Sequence, residues 1–244
     1  MKLISINIEG DLHNDAVFDF IKQENPDVVC IQELLERDLD IFRHQLAFDS
    51  VYQPFMFWSN PVYPTFRGQR QGTAIFAKLI KASGAIFYTG NEENILKSFD
   101  EYLSNEQFQK NRSFVWADVS NLDGRLFRFI SVQLPVTKKG ETTSYQLETV
   151  ELLIGELDKL GEFVLCGDMN APRGKEAFSR LASRYKDNIP AQYQTSIDQN
   201  LHKSKGLQLM VDGLFTTPKY SVSQVRLADG LSDHMAVIAL IEHR

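Results

Sequence analysis

Residues 2–8 read Lys2-Leu3-Ile4-Ser5-Ile6-Asn7-Ile8, and residues 27–33 read Asp27-Val28-Val29-Cys30-Ile31-Gln32-Glu33. The first stretch alternates as a strand does, and the second is a short apolar run suited to a buried strand. Between them, Val17, Phe18, Phe20 and Ile21 recur at helical spacing over 13–24, and Pro26 ends the helix. The chain therefore opens β-α-β, with polar residues, Asn7 and Glu33, at the strand ends.

Working outward, residues 36–47 read as a second helix. Strands are expected at 50–57, 72–78, 84–89, 113–119 and 126–133, where β-branched and aromatic residues are bounded by Gly, Asn and Asp. Residues 142–159 form an amphipathic helix with Leu147, Val150, Leu153, Ile154 and Leu157 on one stripe. A strand at 162–167 follows, and the last third gives strands near 208–217, 220–227 and 235–242. Strand-rich segments interleaved with a few long helices predict an α/β (α+β) chain folded as a four-layer αββα sandwich. No repeat, low-complexity tract or linker interrupts it, so residues 1–244 are read as a single domain.

The chain is 43% hydrophobic and 24% charged, the balance of an ordinary globular protein. Its formal charge of −6 argues against binding nucleic acid through a general basic surface. Local basic groups, Lys138-Lys139 and Arg67 with Arg70, can still meet a phosphate. No segment reaches roughly 18 uninterrupted apolar residues, so no membrane insertion is expected. The N-terminus lacks the apolar run and cleavage site of a signal peptide, and a cytoplasmic monomer is the expectation. Cys30 and Cys166 lie inside apolar runs and read as buried thiols.

Polar residues recur where strands end. Asp168 and Asn170 follow the strand Glu162-Phe163-Val164-Leu165-Cys166-Gly167, and Asp212 interrupts the apolar run Leu209-Met210-Val211-Asp212-Gly213-Leu214-Phe215. Asp233 and His234 precede the last strand. Carboxylates so placed must be paired or must bind a cation, because burying a lone charge is too costly. An oxygen-rich set with a single His suits Mg²⁺ or Mn²⁺ better than Zn²⁺.

These segments resemble the endonuclease/exonuclease/phosphatase superfamily, whose fold is the DNase I-like sandwich. The resemblance is carried in order by Ser5-Ile6-Asn7-Ile8, by Asp27 through Glu33, by Gly72-Thr73-Ala74-Ile75-Phe76, by Gly167-Asp168-Met169-Asn170-Ala171-Pro172, by Val211-Asp212-Gly213-Leu214-Phe215 and by Ser232-Asp233-His234. It implies a divalent-metal-dependent hydrolase of a phosphoester, nucleic acid among the substrates. Glu33 would be the principal metal ligand, with Asn7 completing or orienting the site, Asp233 as a further metal residue and Glu9 nearby. Asp168 would orient or deprotonate the attacking water, and Asn170 would hydrogen-bond a phosphate oxygen. His234 would donate at the phosphate, its tautomer fixed by Asp212.

One position departs from part of the family. Several branches carry a His in a Thr-His-Leu-like segment, where this chain reads Ser131-Val132-Gln133-Leu134-Pro135. Gln133 can donate an amide hydrogen bond to substrate but cannot carry a proton. Members resembling AP endonucleases also lack that His, so its absence does not imply a dead enzyme. Arg70 and Arg112 are further expected substrate contacts, and the loop Trp58 to Arg67, rich in aromatics, is a candidate for stacking a base or a head group. Taken singly, each residue has a plain reading: a strand-end cap for Asn7, a turn for Asp168 and Asn170, a structural His234. A phosphodiesterase of nucleic acid or a nucleotide-derived ester is the leading reading. A phosphatase or phosphodiesterase of a small metabolite or lipid head group comes second, and a non-catalytic binding module third.

Overall fold

A computed structural model of the chain describes residues 1–58, 63–97 and 111–244. Two six-stranded sheets lie face to face. In chain order the strands are β1 (Lys2–Asn7), β2 (Val28–Leu35), β3 (Asp49–Phe57), β4 (Arg70–Ala77), β5 (Ile80–Thr89), β6 (Arg112–Ser120), β7 (Leu126–Gln133), β8 (Val164–Asp168), β9 (Lys186–Asp187), β10 (Asp212–Thr216), β11 (Tyr220–Ala228) and β12 (Ala236–His243). The first sheet has the order β11-β12-β1-β2-β4-β3 and the second β5-β6-β7-β8-β10-β9. Both are mixed, with one parallel pair apiece, β1–β2 and β7–β8.

Strand alternation builds three layers of core at once. Leu3, Val28, Phe129, Val164, Leu214 and Val237 meet between the sheets. Their neighbours on the opposite faces, Ile4, Val29 and Ile238, pack under helices α1 (Asn14–Glu24) and α2 (Leu39–Leu46). On the other side, Ile130, Leu165 and Phe215 pack under α3 (Ser144–Leu157) and α4 (Glu176–Arg184). Sheets covered on both faces read as near-continuous apolar runs, which is why the strands at 27–33 and 162–167 stand out in the sequence. The result is the αββα sandwich.

Several boundaries differ from the sequence reading. The segment 36–47 starts as a 3₁₀ turn, Glu36–Asp38, before α2 begins. Thr143 caps α3, its Oγ1 accepting from the amide of Gln146 at 3.1 Å, and a 3₁₀ turn follows at Asp158–Leu160. The strand placed near 208–217 begins only at Asp212. Helix α4 and the two-residue β9 have no counterpart in the sequence reading. In α4 the buried residues Ala177, Phe178 and Leu181 lie at helical spacing on one face, a short amphipathic stripe that the sequence reading passed over. Among the described residues no helix is long and apolar enough to cross a membrane.

Strands β7 and β8 approach most closely just where the polar strand ends begin. Gly167 has φ +142°, and a Cβ there would stand 2.0 Å from the carbonyl oxygen of Val132. Only glycine lets the two strands meet at this point, immediately before Asp168. Gly167→Ala is expected to lower stability by about 2–4 kcal/mol, measured by urea denaturation. An unchanged midpoint would contradict the close approach.

Candidate active site

The alternation that fills the inter-sheet core ends in polar residues at one edge. Leu3, Ser5 and Asn7 share a face of β1, as do Phe129, Ser131 and Gln133 on β7, and Val164, Cys166 and Asp168 on β8. The register sets Gln133 opposite Asp168, and Asp168 opposite Asp212. Three chain-distant side chains thus stand in one row, and Asn7 faces them from the other sheet.

Glu33 joins them through a bulge. Pairing of β2 with β4 shifts between Ile31 and Leu34, and Glu33 adopts φ +63°. Without the extra residue, Glu33 would join Val29 and Ile31 on the helix-covered face; the bulge re-aims it inward. Its backbone carbonyl accepts from Gln71 Nε2 at 3.2 Å, which holds the strained turn. The carboxylate accepts from Asn7 Nδ2 at 3.0 Å and Gln133 Nε2 at 2.7 Å. Those two amides also reach Asp168 Oδ2, at 3.2 and 3.4 Å. Each amide therefore bridges two carboxylates.

Asp168, 1% exposed, also accepts from the Asn170 backbone amide at 2.8 Å and from Asn170 Nδ2 at 2.9 Å. Asn170 Nδ2 gives its other hydrogen to the carbonyl of Leu134 at 3.0 Å. Both amide hydrogens are engaged, so here Asn170 orients Asp168 and has no free donor for a phosphate oxygen, unlike the sequence expectation. Asn170 sits at φ +45°, a conformation Asn tolerates, which brings its side chain back onto Asp168.

His234 Nδ1 meets Asp212 Oδ2 at 2.8 Å. Backbone from a third segment fixes this pair: the amides of Val211 and Asp212 donate to Ser196 Oγ, and the amide of Met235 donates to the Ser196 carbonyl at 2.7 Å. Asp233 accepts from Ser232 Oγ at 3.2 Å.

Electrostatics follow from burial. Burial pushes the Asp168 carboxyl up to about 7, the charges of Asp212 and Glu33 adding to the rise and His234 opposing it. Burial and then the charge of Asp233 raise Glu33, while burial and Glu9 raise Asp233. Burial alone would lower His234, but Asp212, Asp168 and Asp233 outweigh it and hold the imidazole well above its ordinary value. These carboxylates therefore favour the imidazolium form of His234. Among the described residues, one His/carboxylate cluster tight enough for a metal joins Asp168, Asp212 and His234. The Asp212–His234 hydrogen bond already uses two of those groups.

The carboxylates line a pocket of about 240 Å³. Glu9, Glu33, Asp168, Asp233, His234 and Gln133 are among its polar lining residues, and Met56 with the aromatic Trp58, Tyr63 and Phe66 among its less polar ones. Of the loop after β3, Ser59 to Val62 lies outside the described residues, while Trp58 and Tyr63 flank Phe66 with ring centroids 5.4 and 5.1 Å away. Arg112, 4% exposed, lines the pocket and rests 4.7 Å over the Phe55 ring. Arg70 does not line it; its guanidinium lies 3.7 Å from Glu36, while its neighbour Gln71 reaches the pocket. Gln71, beside Arg70, and Tyr63, in the loop Trp58 to Arg67, were expected near the substrate and do line the pocket, whereas its residues His202 and Lys203 have no role in the sequence reading. The clustered cations of His202-Lys203-Ser204-Lys205 were the one available signal for the last two.

The family model described as Endonuclease/Exonuclease/phosphatase family matches residues 4–234 of this chain. No curated protein sequence matches it. Among solved structures, an endonuclease/exonuclease/phosphatase from Bacteroides vulgatus is similar at 17% identity and TM-score 0.75, over 100% of this chain and 98% of that one. The mannosyl-6-phosphatase of Bacteroides thetaiotaomicron is similar at 14% identity and TM-score 0.71, over 99% of each chain. The catalytic domain of human nocturnin, with bound sulfate, aligns at 15% identity and TM-score 0.74, over 100% of this chain and 93% of that one. Identities this low speak for the fold alone, whereas the family model spans nearly every residue: the chain belongs to the endonuclease/exonuclease/phosphatase family.

Proposed function

We propose that the protein is a divalent-cation-dependent hydrolase of phosphodiesters, acting on nucleic acid or a nucleotide-derived ester. The observation that carries this reading is the convergence of Glu33, Asp168 and Asp233 around one pocket with His234, whose imidazolium form is favoured there. The donor set fits a hard cation. Burial raises the carboxyls of Glu33, Asp168 and Asp233, with neighbouring carboxylates adding to the rise, so a bound cation would favour their ionised forms. Gln133 Oε1 is also buried with no hydrogen-bond partner among the described residues. Glu33 and Asp233 would hold Mg²⁺ or Mn²⁺, with Asn7 keeping Glu33 in place. When bound, the cation supplies positive charge against the phosphate oxygens.

The chain's own residues supply the rest. Asp168, oriented by four hydrogen bonds, accepts a proton from the attacking water. His234 Nε2, opposite the nitrogen held by Asp212, donates toward the phosphate as charge builds there. Arg112 adds a buried cation beside the same pocket, where a phosphate oxygen would replace part of its lost hydration. A second reading, a phosphatase of a small metabolite, is favoured by the modest 240 Å³ volume of the pocket.

Single-stranded DNA, abasic duplex, sugar phosphates and bis(p-nitrophenyl) phosphate, assayed with Mg²⁺ and then with EDTA, decide between them. Cleavage of the diesters and its loss with EDTA are expected; turnover of monoesters alone would establish the second reading. Glu33→Gln and Asp168→Asn should each lower kcat by at least 10²–10⁴-fold. Both variants should unfold no earlier than the metal-free wild type, since each removes a carboxylate that repels its neighbours. Loss of the fold in either would remove the reading of these groups as functional.

Two titrations check the electrostatics. A carboxyl raised from 3.8 to about 7 leaves the folded state binding more protons than the unfolded one. Metal-free stability through Asp168 is therefore greatest below pH ~4 and falls as pH rises toward 7. Mg²⁺ should accordingly raise Tm more at pH 8 than at pH 5.5, where protons compete for the carboxylates. An equal shift at both values would contradict this. In the second test, Asp212→Asn should bring the His234 pKa down, because burial then meets less opposing charge. Imidazole proton NMR reads it directly, and an unmoved titration would dismiss the pairing.

A further inference from the structure

The pocket opens into a second cavity of about 780 Å³, and the two share Asn170, His202, Lys203, Asp233 and His234 in their walls. The second cavity is of opposite character to the first. Lys139, Lys203 and Lys205 line it together with His202, against a single carboxylate, Asp233. Its floor is apolar, formed by Ile197, Leu207, Leu209 and Val211. In a chain of net charge −6, such a reversal of sign beside a phosphoester pocket concentrates anions locally.

The cations are carried on built backbone. Asp198, 1% exposed, accepts from the amides of Asn200 and Leu201 at 2.7 and 2.9 Å and of Gly230 at 2.7 Å. Gln199 Nε2 closes the same loop on the carbonyls of Leu207 and Ile197, at 2.6 and 3.1 Å. The loop of His202, Lys203 and Lys205 is thus pinned at its base to the segment leading into Asp233 and His234. On the facing side, Gly140 packs so tightly that a Cβ would meet the Pro172 ring at 2.5 Å, which fixes the turn bearing Lys139.

Lys203 stands at the boundary between the cavities. Its ammonium lies 3.2 Å from Glu9 Oε1 and 4.4 Å from the centroid of the Tyr63 ring, and the Tyr63 hydroxyl donates to the same carboxylate oxygen at 3.0 Å. The Lys203 side chain is 63% exposed, so its pair with Glu9 is weak and readily exchanged. The contact with the Tyr63 ring keeps the ammonium positioned while the exchange occurs.

We propose that Lys203, backed by Lys139 and Lys205, forms a subsite for a second phosphate of the substrate, so that the preferred substrate is a phosphoester carrying another phosphate beyond the reacting one. Glu9 holds the ammonium until that phosphate takes its place. The subsite rests on the phosphoester-hydrolase reading and specifies its substrate class. Two sources share this chemistry, the next linkage of an oligonucleotide and the second group of a bisphosphorylated small molecule.

The test measures binding and turnover separately. Asp168→Asn protein with Mg²⁺ is titrated with a fluorescent trinucleotide and its analogue bearing one neutral methylphosphonate linkage, and with a sugar bisphosphate and the matching monophosphate. The member with the second phosphate should bind about tenfold tighter in at least one pair. Adding Lys203→Met should bring that ratio close to one and reduce the slope of log affinity against log salt by about one. In the otherwise wild-type enzyme, Lys203→Met should raise KM for the charged member with little change in kcat, and Glu9→Gln should lower it. Discrimination within the trinucleotide pair assigns the subsite to a nucleic acid chain, and within the sugar pair to a small bisphosphate. Equal affinity within both pairs, or equal weakening of all four probes by Lys203→Met, overturns the subsite. Intact discrimination without hydrolysis of any ester by the wild type upholds the subsite and removes the hydrolase reading.

Discussion

The pleat of two facing sheets is the constraint from which the site inherits its geometry. The faces that carry Leu3, Phe129, Val164 and Leu214 into the inter-sheet core end in Asn7, Gln133, Asp168 and Asp212. These polar residues are therefore in register with the core itself. A slip of one residue in β8 would turn Asp168 toward the helices and Leu165 toward the opposite sheet, exchanging a whole row of contacts. Precision at the site is enforced by burial elsewhere, and the hydrophobic energy that resists the slip far exceeds the cost of holding the carboxylates together.

That cost is nevertheless real, and the neighbouring groups meet it only in part. The amides of Asn7 and Gln133 are each divided between Glu33 and Asp168, so neither carboxylate receives a full complement of donors from them. Glu33, Asp168, Asp212 and Asp233, when ionised, face two buried cations, His234 and Arg112. The carboxylates outnumber those cations, and a bound divalent cation would make up the shortfall. Gln133 contributes to that shortfall by being neutral. A protonated residue there would fill part of the same deficit, and the chain leaves it open.

The legible parts of the fold and site are those set by local periodicity or by a peptide motif. Asn7, Asp168 and His234 stand at or beside the ends of readable strands, Asp212 interrupts an apolar run, and their approach follows once the sheets pair. Other features depend on long-range geometry. Glu33 reaches the pocket through a bulge against β4 that its own segment does not announce. Asn170 spends its donors on Leu134 and Asp168, a commitment invisible until the backbone turns left-handed. Arg70, adjacent to a pocket residue in sequence, is carried to the other side by strand alternation and pairs with Glu36. Tyr63 and Lys203 meet only because two loops far apart in the chain converge on Glu9.

The segment Ser196-Ile197-Asp198 ties these scales together. Ser196 receives the amides around Asp212 and Met235, Ile197 bridges His234, and the amide of Asp198 donates to the carbonyl of Asp233 at 2.9 Å. Three consecutive residues thus hold the imidazolium and its carboxylate by backbone contacts that no substrate needs to disturb. The same Asp198 also anchors the loop carrying Lys203, whose ammonium ends in an exposed and exchangeable pair. Rigidity is concentrated where a proton must be held at a defined atom, and freedom is left where an anion must be admitted. Because both sets of contacts descend from one short strap, the backbone joins the loop of Lys203 to the His234–Asp212 pair independently of the side chains that line the pocket.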